Sequence, residues 1–464
     1  MFPFPLPSHI HSMLNLAQIL CLSHLKVTLV LTLHARNNGF LRFSDLESQF
    51  SRYPGGIRFH YIPDGLPGDH PRGVIELLVS LTATAKPLLK EMLLMVNLKE
   101  AAAPPPPPPR CVVLADGLLS FAIEVAEEVG VPFFYFQPVI ACAIWTSLSL
   151  PQLIRGGELP LKGRDMDMPI TNVKGMEGFL RYRDLPAHYR LDDIDNDPIL
   201  QIFLQVSQNC TKAKHHIINT FQELEGPILD QMPTMISNVV YAVRPLHEFL
   251  VANGGSIHAI MSNGDDRNSK NCLDWLDNQP LKSVLYVSFG TLTMVSRETL
   301  MEFWHGLVNS GQRFLWSLNS LLVTNGEIPA EILTDSGEKT CVVDWAPQRA
   351  VLGHFAVAGF LTHCGWNSIL ESIVSGVPMI GWPVHGDQQV NSRYVAEVLK
   401  VGVDMKDTCD RTIIEKMVRE LMEERKDEFL ERAQHYSKLA KQSVRQGGSS
   451  YSNLEHLLED IRRI

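Results

Sequence analysis

Short apolar runs rich in β-branched and aromatic residues recur through this chain, and most are followed by a longer stretch of helical periodicity. In the first half they are VTLVLTL (27–33), RFHYI (58–62), CVVLAD (111–116) and VPFFYF (131–136). In the second they are SVLYVSFG (283–290), RFLWSL (313–318), KTCVVDW (339–345), VAGFLTH (357–363) and PMIGWP (378–383). Strand, helix, strand in series predicts parallel sheets covered on both faces, because parallel neighbours need a crossover long enough to hold a helix. The class is therefore α/β and doubly wound. With 464 residues, two cores of roughly 200 residues each fit the length better than one. A polar stretch rich in Gly, Asn and Asp at 244–270 reads as the linker between them. The expected organisation is a first domain over 1–243, the linker, a second domain over 271–445, and a final helix over 446–464 that packs back on the first domain.

Composition removes several classes of function. A net charge of −10 argues against a nucleic-acid partner, whose phosphates are held mainly by Lys and Arg. Eight scattered cysteines with no CxxC pair read as a reduced, intracellular chain, so a cytoplasmic location is expected. The apolar run from Met13 to Leu33 lacks a preceding basic region and is interrupted by Lys26, which favours an amphipathic helix followed by a strand over a signal peptide. The run from Val131 to Leu150 has the length of a membrane span but contains Gln137, Pro138, Thr146 and serines, so a buried strand and helix are expected instead. Six consecutive prolines at 104–109 read as a stiff loop insertion. A monomer is the default expectation.

The stretch HCGWNS, His363 to Ser368, sits where chemistry is expected in such a fold. Ligands of parallel sheets bind beyond the carboxyl ends of the strands, where helix N-termini point outward. Here a strand ends, Gly365 allows a tight turn, and WNSILESIVSG continues as a helix stopped by Gly376 and Pro378. Asn367 and Ser368 have side chains suited to capping, and the exposed N–H groups would stabilise an anion such as phosphate. On these residues alone an ordinary capped helix is an equally good reading. Metal binding is disfavoured, because adjacent His363 and Cys364 lack companion ligands at metal spacing. A Cys364 nucleophile would need an organised histidine base that the sequence does not supply. No Walker A, GxGxxG or GxSxG pattern occurs, and the acidic run DDIDND (192–197) lacks the glycine and glutamate of a calcium loop. Neighbouring loops add Trp345-Ala346-Pro347-Gln348, Glu371 and the pair Asp387-Gln388. An aromatic face, an anion-binding helix, a carboxylate for a ribose diol and an Asp/Gln pair for sugar hydroxyls are the contacts a nucleotide sugar requires.

The 44 residues from Trp345 to Gln388, WAPQRAVLGHFAVAGFLTHCGWNSILESIVSGVPMIGWPVHGDQ, resemble the plant secondary-product signature of the family 1 UDP-dependent glycosyltransferases. IPDGLP (62–67), YVSFGT (286–291) and the ending GGSSYSNLEHLLEDI extend the resemblance over nearly the whole chain, with the flavour of the branch that glucosylates terpenoids such as iridoids. The resemblance implies the GT-B fold, two Rossmann-like domains facing a cleft. It implies that Trp345 stacks on uracil, that Ala346 and Gln348 meet its edge, and that Glu371 takes the ribose hydroxyls. Thr291, His363, Asn367 and Ser368 would hold the diphosphate, with Trp366, Asp387 and Gln388 on the sugar. The terminal Gln388 implies UDP-glucose as donor. His9 matches the family's catalytic histidine and Asp116 the acid that orients it, with His11 a nearby decoy. Inverting transfer of glucose to a hydroxyl or carboxyl of a small apolar terpenoid or phenolic acceptor follows, with neither metal nor other cofactor.

Four departures from the family pattern carry expectations. Prolines at 3, 5 and 7 predict a shortened first strand and a less stable first domain. Pro138 replaces a small hydroxyl residue expected to bind the glucose 6-hydroxyl, which predicts looser sugar discrimination. Ser8 replaces the usual glycine before His9, which predicts a more crowded acceptor entrance. Asn319 stands where an arginine is common, removing a favourable charge near the nucleotide. An alternative of a different class is an impaired homologue that binds UDP-sugar or aglycone without efficient transfer. An epimerase or phosphorylase shares the phosphate logic but not the signature.

Overall fold

A computed structural model describes the chain except residues 38–49, 51–52, 54–55, 101–110, 172–177, 179, 195, 237–238, 253–265, 325 and 335–336. The proline run at 104–109 and most of the linker stretch therefore lie outside the described residues. The chain divides into two compact units, Met1–Gly157 with Asp193–Met261 and Gln442–Ile464, and Glu158–Asp192 with Ser262–Lys441. This corrects the expected first domain, because residues 158–192 pack with the second half of the sequence. Asp184, buried in that segment, reaches the Lys406 ammonium at 3.0 Å, and a buried carboxylate requires such a partner.

In the first unit β1 (Val27–Thr32) pairs with β2 (Ile57–Ile62), and β3 (Val113–Asp116), β4 (Phe133–Gln137), β5 (His215–Ile218) and β6 (Val239–Ala242) follow in that order, all parallel. Met1 and Phe2 stand between the two groups. Val30 N–H donates to the Met1 carbonyl at 2.8 Å, Phe2 N–H donates to Leu114 O at 2.8 Å, and Asp116 N–H donates to Phe2 O at 2.9 Å. The first strand is thus as short as the prolines predict, yet it joins β1 to β3. Alternate residues serve opposite faces. Leu114, Phe134, Phe136, Ile217 and Tyr241 pack with Leu454, Leu457 and Leu458 of the last helix, while Val113, Ala115, Phe133 and Tyr135 pack with Leu81, Ala122 and Val125.

The helix Pro7–Leu22 begins with proline at its first position, where no N–H is needed. It is not amphipathic as expected, since every residue from Ile10 to Cys21 is buried. Leu14, Ala17 and Leu20 belong to the same core as β1 and the final helix Ser449–Arg463, and apolar surface all round is what such a position demands. The final helix is tied to the same unit by Ser450 Oγ on Arg244 O at 2.5 Å and Asn453 Nδ2 on Ala242 O at 3.1 Å.

The second unit holds β7 (Val284–Ser288), β8 (Arg313–Ser317), β9 (Thr340–Val343), β10 (Val357–Thr362), β11 (Met379–Gly381) and β12 (Gly402–Asp404). Their spatial order is β12-β11-β10-β7-β8-β9, again all parallel. The order reverses between β7 and β10, and a crevice opens beyond the carboxyl ends at such a switch point. In the first unit the same reversal falls between the Met1–Phe2 strand and β3.

Candidate active site

At the first switch point β3 delivers Asp116, whose side chain is fully buried. Its Oδ1 accepts from Leu118 N–H at 3.1 Å, and its Oδ2 lies 2.8 Å from His9 Nδ1. His9 occupies the first turn of the Pro7–Leu22 helix, the element that follows the shortened strand. With the Nδ1 proton directed at the carboxylate, Nε2 carries the lone pair and is the basic nitrogen. Phe4 packs beside the ring with centroids 5.8 Å apart, which limits how it can turn. It is His9 that meets Asp116, whereas His11 is buried further along the helix. Ser8 is exposed, and the Pro138 carbonyl accepts from the buried Asn219 Nδ2 at 2.8 Å.

At the second switch point the chain after β7 turns through Gly290 at φ +77°, leading to the exposed Thr291. A methyl group at Gly290 would stand 2.5 Å from His363 Cε1, and one at Gly365 would stand 2.5 Å from His363 Nε2. Both positions require glycine because the imidazole fills the space between them. Burial, with the charge of His385 second, pushes that imidazole down to about 4, while a hydrogen bond with the Ser288 backbone acts the other way. At neutral pH the ring is uncharged and carries a single N–H. Its Nδ1 is buried without a hydrogen-bond partner among the described residues.

Cys364 takes a left-handed backbone at φ +63°. Its thiol is buried and pushed far upward by that burial, and its sulfur would lie 2.7 Å from any methyl group at Gly381. It is a packing residue. The helix Trp366–Ser375 then starts at once, with Gly365 at its N-cap and no side chain capping it. Asn367 and Ser368 are therefore not caps but the second and third helical residues. The left-handed Cys364 turns the chain so sharply that the helix begins earlier than the side chains suggest. Its first turn contributes no acidic residue of its own, and its positive dipole end faces the turn at 363–365. Gly376 ends it at φ +66°, as the sequence predicts.

Trp345 and the buried Ala346 arrive from the end of β9, followed by the short helix Gln348–Leu352. Gln348 Nε2 donates to Ser368 Oγ at 3.0 Å and to Glu371 Oε2 at 2.8 Å. Arg349 Nε donates to the other carboxylate oxygen of Glu371 at 2.9 Å. Gln348, Ser368 and Glu371 are thus joined, and Arg349 is a member that sequence reasoning missed, because no local spacing connects it with a carboxylate 22 positions away.

Past β11, the loop residues Val384 and His385 donate their N–H groups to Gln388 Oε1 at 2.9 and 3.0 Å. This occupies the side-chain carbonyl and leaves the amide hydrogens of Gln388 as the groups suited to sugar hydroxyls. Asp387, at the N-cap of the helix Gln388–Arg393, receives Asn391 Nδ2 at 2.8 Å. Trp366 is almost wholly buried. Asn319, where an arginine is common, caps a short turn by accepting from Leu321 N–H at 2.8 Å.

Residues 201–441 match the family described as UDP-glucoronosyl and UDP-glucosyl transferase, more than half of the chain. The 7-deoxyloganetic acid glucosyltransferase of Catharanthus roseus is 47% identical over 100% of this chain and 97% of its own. The chain belongs to the UDP-dependent glycosyltransferases. The myricetin 3-O-rhamnoside 1,2-glucosyltransferase of Crocosmia x crocosmiiflora is 39% identical over 100% of this glycosyltransferase and 95% of its own length. Among solved structures, Os79 from O. sativa in complex with UDP matches with a TM-score of 0.79 at 26% identity over 99% of both chains. The Phytolacca americana glycosyltransferase complexed with UDP-2fluoro-glucose and pterostilbene matches with a TM-score of 0.79 at 25% identity over 99% of this chain and 98% of its own. The glycosyltransferase described here accordingly has the GT-B fold, with two Rossmann-like units. Among the described residues no helix is long and apolar enough to cross a membrane.

Proposed function

We propose that this glycosyltransferase moves glucose from UDP-glucose to a hydroxyl or carboxyl of a small apolar terpenoid or phenolic acceptor, with inversion at the anomeric carbon. The observation that carries the reading is the 2.8 Å contact between His9 Nδ1 and the buried Asp116 carboxylate, which leaves Nε2 as a base. In the proposed step Nε2 takes the acceptor proton, the acceptor oxygen attacks the anomeric carbon, and the bond from that carbon to the UDP oxygen breaks with its electron pair leaving on the diphosphate. Asp116 stabilises the imidazolium that forms. The neutral His363, the first turn of the Trp366–Ser375 helix and Thr291 receive the diphosphate charge, so the proposed reaction needs no metal. Trp345, Ala346, Gln348 and Glu371 take the uridine, and Trp366, Asp387 and Gln388 the sugar. The glucosyltransferase relatives that act on 7-deoxyloganetic acid and on a myricetin rhamnoside support the donor and the acceptor class. The eight free cysteines support a reducing, cytoplasmic location, and a monomer suffices for the scheme.

The reading as an impaired binder is not favoured, because the base and its carboxylate partner are both present and in contact. The deciding experiment incubates UDP-glucose with phenols, flavonoids, iridoids and triterpenes and reads the products by mass, for wild type and His9→Ala. Turnover is expected to fall about 100- to 10,000-fold in the variant. A variant that kept most of its turnover with a good acceptor would overturn the mechanism.

A further inference from the structure

One buried amide joins the two loops of the donor half. Asn391 has no exposed surface, and its Nδ2 donates both to Asp387 Oδ2 at 2.8 Å and to the Cys364 carbonyl at 3.0 Å. Both amide hydrogens are thereby used, and the orientation is forced. Turned over, Oδ1 would face a carboxylate and a carbonyl, acceptor against acceptor. As it stands, Oδ1 is buried with no partner among the described residues. A buried carbonyl left unbonded costs stability, so the fold gains little from this amide as a fastener alone. What the amide does provide is a fixed spacing. Cys364 lies in the turn after β10 that opens the Trp366–Ser375 helix, and Asp387 in the loop after β11. They are 23 residues apart in sequence, and the Asn391 amide bridges them.

We propose that Asn391 is a positioning residue that sets the Asp387 carboxylate at a fixed distance from the 363–368 turn, so that hexose and diphosphate are held in register. It would govern productive use of the hexose and leave nucleotide affinity nearly untouched. This rests on the reading of the donor half under the proposed function. The charged and titratable groups around the bridge are Asp387 at the N-cap of the same helix, the Cys364 thiol, and Asp404 and Lys406 from the β12 side. Lys406 holds the same helix from below, with Nζ on Gln389 O at 2.6 Å and on Ser392 Oγ at 2.8 Å.

The test compares Asn391→Leu and the nearly isosteric Asn391→Asp with wild type, measuring kcat/KM for UDP-glucose and, by calorimetry, Kd for UDP. In both variants kcat/KM is expected to fall about 10- to 100-fold at neutral pH, while Kd for UDP stays within about threefold. In Asn391→Asp the new carboxylate faces Asp387, and two such groups share a proton in acid, which restores a donor. Its kcat/KM relative to wild type should therefore rise as pH falls from about 8 to about 6, whereas that of Asn391→Leu should stay level. Wild-type kcat/KM in either variant, UDP affinity lost in the same proportion as kcat/KM, or a level ratio in Asn391→Asp would each overturn the proposal. A wild-type protein that neither binds UDP nor transfers would sink the donor reading and this proposal together. A loss of UDP affinity confined to the variants would sink this proposal alone.

Discussion

Replacing His363 with alanine should separate binding from stability in a way few positions allow. The imidazole is wedged between Gly290 and Gly365, and its Nδ1 lacks a hydrogen-bond partner among the described residues. Two consequences follow from its being held neutral. The first concerns the ligand. One N–H from a neutral ring to an anionic phosphate oxygen is a charge-assisted bond, worth about 1.5–3 kcal/mol, so UDP should bind about 10- to 100-fold more weakly to the variant. The second concerns acid. A histidine that titrates at 6.5 when unfolded and about 4 when folded binds its proton more readily in the unfolded chain. Stability therefore declines as pH falls from 6.5 towards about 4, by a ceiling of about 3 kcal/mol for this one group. The variant should lose that part of the acid sensitivity. Calorimetric titration with UDP measures the first effect, and denaturant midpoints at several pH values between those limits measure the second. Unchanged UDP affinity, or the full wild-type acid sensitivity in the variant, would refute the reasoning.

Glu225 carries the opposite sign. Burial pushes its carboxyl up to about 7, against hydrogen bonds from Thr220 and from the Ala141 and Cys142 amides that favour the charged form. The stability this group contributes is present below its ordinary 4.5 and is lost as pH rises through about 7. Glu225→Gln, neutral throughout, should flatten that decline, and an undiminished decline in its denaturant midpoints would refute the assignment. Arg349→Ala leaves Glu371 with Gln348 alone, and because the ion pair is only partly buried, UDP affinity should fall modestly, about three- to tenfold by titration. Unaltered affinity would mean that the guanidinium does not organise the Glu371 carboxylate for a nucleotide.

The strands that were legible in the sequence are the long apolar ones, since β-branched runs of five or more residues have few other uses in a chain of this composition. Strands β5, β6 and β12 escaped notice. β5 begins with two histidines, His215 and His216, which hide its apolar half. The run from Met13 predicts an amphipathic helix, whereas the helix starts at Pro7, takes in His9 and His11 and is buried all round, because one chain segment does not reveal how many others will cover it. Asn391 left a readable trace, four residues beyond Asp387 and so on the same helical face. Arg349 left none.

By itself the sequence determined that the sheets are parallel and that HCGWNS would end a strand and open a helix, and its likeness to a family singled out His9 and Asp116 as a pair to look for. These are properties of short segments or of a long motif, and backbone preference and pattern suffice for them. Only the tertiary structure decided which strands are neighbours. The order β10-β7 brings Gly290 against His363, and the Met1–Phe2 strand beside β3 brings the helix bearing His9 against Asp116. The physical reason is that strand order depends on how crossovers pack on both faces of a sheet, a choice made by the whole core. Both pairs of candidate groups lie where that order reverses, because only there do two adjacent strands send their connections to opposite faces and leave their carboxyl ends open.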